Sequence, residues 1–117
     1  MRILTTTLLT LVLTGFASIA SAEDARYLSI KALGEVNGIA LKCKYFDQVQ
    51  RVKQSIIATV PKERVYGVAF ETSSNDAFLA FIESRELCPG PAGFNRQVDE
   101  RIEAMKEAFA ATAGESR

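Results

Sequence analysis

From Ala25 to Val60 the apolar residues return every three or four positions, and no proline interrupts them. Tyr27, Ile30, Leu33, Val36 and Ala40, then Leu41, Tyr45, Val49, Val52, Ile56 and Val60, keep this rhythm, with Lys31, Glu35 and Lys42 largely off it. Such spacing marks one face of an α-helix. A half-buried strand would instead alternate with period two, and no segment of the chain sustains that alternation. The chain is therefore expected to be all-α. The rhythm fits one helix from Ala25 to Thr59, or two that meet near Cys43–Asp47. Asp47, a good N-cap residue type, favours the break.

Beyond Thr59 the punctuation is clearer. Pro61 suits a first helical position and Glu63 an acidic first turn. Val65, Val68, Ala69 and Thr72 outline a short amphipathic helix, and Ser73-Ser74-Asn75-Asp76, a cluster of cap and turn residues, predicts a kink or restart. From Asp76 to Leu87 the chain is apolar nearly all round, the pattern of a central, most buried helix. Cys88-Pro89-Gly90-Pro91 ends it. A last helix is expected near Phe94, with Val98, Ile102, Met105 and Phe109 as its stripe. The tail 110–117 lacks apolar anchors and is expected to fray.

Residues 1–22 read differently. Arg2 precedes an apolar run, Ile3 to Ala20, that closes on Ala20-Ser21-Ala22. A positive start, an apolar stretch and small residues before the cut describe a Sec-type signal peptide, with cleavage expected between Ala22 and Glu23. Thr5, Thr6, Thr7, Thr10, Thr14 and Ser18 weaken the run as a permanent anchor. The mature chain, 23–117, is then a single helical domain expected in a periplasm, with secretion as the alternative.

In an oxidising compartment an even pair of cysteines reads as one disulfide. Cys43 and Cys88 are the only two, and they form no Cys-x-x-Cys pair of the kind that tunes a redox thiol. The expected architecture is a small bundle of four to five helices stapled by this bond.

Charge and composition narrow the function classes. The sequence has 14 basic and 14 acidic residues. This balance argues against nucleic acid, or an anionic membrane surface after cleavage, as obligatory partners. There is no His, hence no usual general base near neutral pH and none of the commonest metal ligand. No glycine-rich phosphate loop, haem-attachment motif or calcium-loop spacing is present, so no cofactor and no metal are expected.

The remaining candidates form a pocket or an interface. Gly34 and Gly38 lie four apart on one helix face with Asn37 between them. Such glycines read as a notch for a close neighbour, and Asn37 as a buried amide or a group aimed into a pocket. Among the aromatics, Phe46, Phe70 and Phe94 fall off the main stripes and are expected at the surface.

A signal peptide, a helical domain of this size and two distant cysteines resemble the frame of the periplasmic acid-stress chaperones and of several exported toxin-immunity proteins. The resemblance is one of frame and carries no residue roles. The expected function is that of an exported helical binding protein without catalytic activity, acting on a protein partner, with a homodimer also open. The alternatives are an acid-stress chaperone, an immunity protein or inhibitor of a secreted toxin or enzyme, and a small carboxylate enzyme built on Glu71 and Asp76.

Overall fold

A computed structural model describes residues 22–115 as four α-helices: α1 (Ala22–Lys42), α2 (Phe46–Thr59), α3 (Arg64–Ser84) and α4 (Pro91–Glu115). The expected signal segment lies outside the described residues, Ala22 excepted, as does the end of the tail. Among the described residues there is no strand, and the molecule is a helical bundle stapled by one disulfide.

The break after α1 falls at Cys43–Tyr45, and the backbone makes it. Lys44 takes a left-handed φ of 61°, the Tyr45 N–H donates to the Ala40 carbonyl (2.8 Å) and the Lys44 N–H to that of Leu41 (3.3 Å). This is a Schellman closure with lysine where glycine is usual. Asp47 is not the cap; Tyr45 holds that position and Asp47 sits in the first turn of α2. Pro61 likewise lies in the linker: Val60 is extended ahead of it, and α3 starts only at Arg64, with Glu63 as N-cap. Pro91 takes the first position of α4, three residues before the expected start, where its missing N–H costs nothing.

The predicted kink at Ser73–Asp76 is absent, and α3 runs unbroken through it. Both serines find partners across the helix pair instead of capping a new start. The Ser73 hydroxyl donates to the Lys31 carbonyl (2.6 Å), and Asn37 Nδ2 donates to Ser74 Oγ (3.0 Å). Side chains with good tertiary partners do not compete for the local backbone.

The central helix is α1, and not the expected Asp76–Leu87 segment. Packing against all three other helices, α1 buries Ile30, Leu33, Val36 and Ala40 completely. Val49 and Val52 of α2, Tyr66 and Ala69 of α3, and Phe94, Val98, Ile102, Met105 and Phe109 of α4 complete the core. α4 runs antiparallel to α1, pairing Arg26 with Phe109, Glu35 with Arg101 and Tyr45 with Phe94. Arg51 of α2 reaches Asn95 and Asp99 of α4. α3 runs parallel to α1, since Lys31 and Gly34 meet Ser73 while Gly38 meets Ser74 and Ala77.

Cys43 and Cys88 are bonded (S–S 2.08 Å, Cα–Cα 5.7 Å), joining the end of α1 to the α3–α4 linker. The Tyr45 hydroxyl donates to the Pro89 carbonyl (2.6 Å) beside the bond. Disulfide, hydroxyl and the Tyr45–Phe94 ring contact together hold the start of α4 against the α1–α2 turn.

Candidate functional site

The glycine pair of α1 is a contact between helices, not an opening. A Cβ on Gly34 would lie 2.6 Å from Ser73 Cβ and 2.9 Å from the Phe70 carbonyl oxygen. On Gly38 it would run into the Ser74 carbonyl and lie 2.9 Å from Ala77 Cβ. The two helices touch backbone to side chain along this seam. Asn37 is buried between the glycines at 2% exposure, and its Oδ1 finds no hydrogen-bond partner among the described residues. Gly34, Asn37 and Gly38 thus stand together as expected, but they form a closed seam.

The three phenylalanines singled out from the sequence are scattered. Phe46 is exposed at 59% at the start of α2. Phe70 is half-buried and packs against the core from α3. Phe94 is buried at 1%, contrary to the expected surface position. Since α4 starts at Pro91, Phe94 shares a helix face with Val98, Ile102 and Met105, the stripe it had seemed to precede. Beside it, Lys44, Phe46, Gln48 and Pro91 border a shallow hollow of about 300 Å³.

The larger concavity flanks the seam. A groove of about 830 Å³ opens between α1 and α3. Its floor includes Ile39, Ala69, Ala77, Ala80 and Phe81; Lys31, Glu35, Asp76 and Glu86 carry charge along it. The groove exists because α3 lies against α1 on one side only. α2 is 14 residues long and is engaged with α1 and α4, leaving this flank without a third helix.

That one-sided packing also exposes the outer face of α3. Val65, Val68, Leu79 and Ile82 stay 44–53% exposed, and Leu87 in the following linker is 92% exposed. Sequence reasoning placed Leu79, Ile82 and Leu87 in a central, buried helix, and Val65 and Val68 on a short amphipathic one. The signal that separates them is the 3-4-3-4-3 spacing of Val65, Val68, Thr72, Asn75, Leu79 and Ile82, which traces a face opposite the buried Tyr66, Ala69, Ser73 and Phe81.

Glu71 and Asp76, the carboxylates considered for acid–base chemistry, are both exposed. Five positions apart, they project about 140° from each other around α3. Among the described residues no three His, Cys, Asp or Glu side chains gather where a metal ion could be held. No described helix is long and apolar enough to cross a membrane.

Fold and surface together define a small, disulfide-stapled, all-helical protein with an apolar groove beside its central helix. No protein-family model, curated protein or solved structure matches the chain.

Proposed function

We propose that this is an exported helical binding protein that acts on a protein partner, receiving an amphipathic helix of that partner in the groove between α1 and α3, with no catalytic step of its own. The observation that carries the reading is the groove itself. Two parallel helices present an apolar floor of small residues, Ala69, Ala77 and Ala80, where a third helix would ordinarily pack. Small side chains let a helix backbone approach closely, and the remaining interface can be filled by the guest's i, i+3, i+4 and i+7 side chains. Lys31 and Glu35 on one rim, and Asp76 and Glu86 on the other, offer both charges to the polar flanks of such a guest. The Cys43–Cys88 bond is compatible with an oxidising compartment and fits the exported reading.

The test is site-specific photo-crosslinking in the producing cell. A crosslinker replacing Lys31, at the groove rim, should give a discrete adduct with a protein other than this chain, and Ala80→Arg should abolish it. A crosslinker replacing Ile57, exposed on α2, should not give that adduct. No adduct at Lys31, or one indifferent to Ala80→Arg, overturns the proposal.

A further inference from the structure

We infer that the outer face of α3 is a self-association surface, on which α3 of a second copy of this chain packs antiparallel. The stripe Val65, Val68, Thr72, Asn75, Leu79, Ile82 follows the a/d spacing of a heptad and is exposed along its whole length. The order of its side chains points to a second copy as the occupant. It reads apolar, apolar, polar, polar, apolar, apolar, the same in both directions.

A two-fold axis requires a surface complementary to itself. Antiparallel pairing supplies it here in one register. Val65 meets Ile82 of the second copy, Val68 meets Leu79, Thr72 meets Asn75, and the same three layers repeat in reverse. The two central layers pair a hydroxyl with an amide, which can hydrogen-bond to each other. A shift by one heptad would set Asn75 against Leu79 of the second copy, so the polar layers select the register.

Charge selects the direction. The N-terminal end of α3 carries Lys62, Glu63 and Arg64, an excess of one positive charge. Its C-terminal end carries Glu83, Arg85 and Glu86, an excess of one negative charge. Antiparallel pairing brings each basic end to an acidic end, twice per dimer, with Lys62 on the same flank as Glu83 of the second copy. Parallel pairing would stack like on like.

The overlap from Val65 to Ile82 is about 26 Å long. One helix pair of that length falls at or below the lower limit of specific interfaces, about 1,200 Å² in total. The dimer is therefore weak and reversible, forming between about 10 µM and 1 mM. Val68 and Thr72 also border the α1–α3 groove, whereas Val65, Asn75, Leu79 and Ile82 do not, so the two surfaces share an edge and substitutions at Leu79 and at Ala80 tell them apart.

Sedimentation equilibrium on the exported, disulfide-bonded protein, from 1 µM to 1 mM, tests the inference. The weight-average mass should rise from one chain toward two. Leu79→Glu should hold it at one chain at every concentration, with helix content by circular dichroism unchanged because the site is exposed. Thr72→Leu with Asn75→Leu should tighten association at least tenfold. Lys62→Glu should weaken it, and adding Glu83→Lys should restore it. A single-chain mass through 1 mM, or a dimer indifferent to Leu79→Glu, overturns the inference; failure of the charge swap to rescue overturns the antiparallel arrangement. Ala80→Arg should leave the dimer intact while removing the groove adduct, which tells the two surfaces apart.

Discussion

Gly38→Ala asks whether the α1–α3 seam is as close as it looks. In an unconstrained helix interior this change stabilises by about 1 kcal/mol, because alanine loses less backbone entropy than glycine. At Gly38 the new methyl would enter the space of the Ser74 carbonyl and sit 2.9 Å from Ala77 Cβ and from the Phe78 nitrogen. Two of those three atoms are backbone, so no rotamer change relieves the overlap and α3 must move outward. Overpacking of this kind costs about 1–3 kcal/mol and occasionally more. The seam also carries the Asn37–Ser74 and Ser73–Lys31 hydrogen bonds, whose geometry an outward shift degrades. The net expectation is a loss of about 1–3 kcal/mol, which for a domain of this size lowers Tm by roughly 5–20 °C. Gly67, in the first turn of α3, is the control, since a Cβ there meets nothing within 4 Å. Gly67→Ala should be neutral or raise stability by up to about 1 kcal/mol. Urea unfolding of both variants, followed by circular dichroism with the disulfide intact, measures the difference. If Gly38→Ala proves as stable as Gly67→Ala, the close seam and the parallel placement of α3 are refuted.

Three further expectations follow from the same packing. Phe94→Ala should cost about 3–5 kcal/mol, as for a fully buried ring, while Phe46→Ala should change stability by less than about 0.5 kcal/mol; equal effects in urea titrations would contradict the burial assigned to α4. Cys43→Ser removes a bond that closes a loop across a sequence separation of 45. It should destabilise by about 4 kcal/mol in the chain-entropy model, and thiol titration of the denatured, unreduced wild type should find no free thiol. Lys44→Gly relieves a left-handed residue at the α1 C-terminus and should raise the urea midpoint by an amount worth about 1 kcal/mol; a lower midpoint would count against the Schellman closure.

The proposed docking groove and the α3 outer face have one structural origin. α1 is wrapped by three helices, whereas among the described residues α3 packs on α1 along its glycine seam, with Phe70 against the core and Tyr66 at a ring distance of 5.3 Å from Phe109 of α4. One side of α3 is buried through Tyr66, Ala69, Ser73, Ser74 and Phe81, and the other keeps Val65, Val68, Leu79 and Ile82. In most small domains those residues would be buried, and leaving Val65, Val68, Leu79 and Ile82 exposed costs solubility unless something covers them. The glycines therefore matter twice, once for the approach of α3 and once for what that approach leaves unpartnered.

What the sequence determined by itself is what depends on near neighbours in the chain. Although α3 stops at Ser84, short of the expected Leu87, the 3.6-residue period of Ile30, Leu33, Val36 and Ala40, the break around Cys43–Asp47, the even cysteine pair and the glycine notch were all readable without coordinates. Each is a local rule or an arithmetic constraint, and each yields the all-helical, disulfide-stapled bundle. What only the tertiary structure decided is which side of each helix finds company. An apolar segment such as Asp76–Leu87 has the same composition whether it fills a core or lies on one flank of it, so hydrophobicity could not rank it below α1. Ser73-Ser74-Asn75-Asp76 has the same capping potential in either case, and the partners its serines take instead, Lys31 and Asn37, lie far away in the chain. Phe94 moved from surface to core because Pro91 starts α4 one turn early and rotates that ring into the stripe of Val98 and Met105. Burial is a property of the assembly of helices, and periodicity within one helix records only that a face exists, not what covers it.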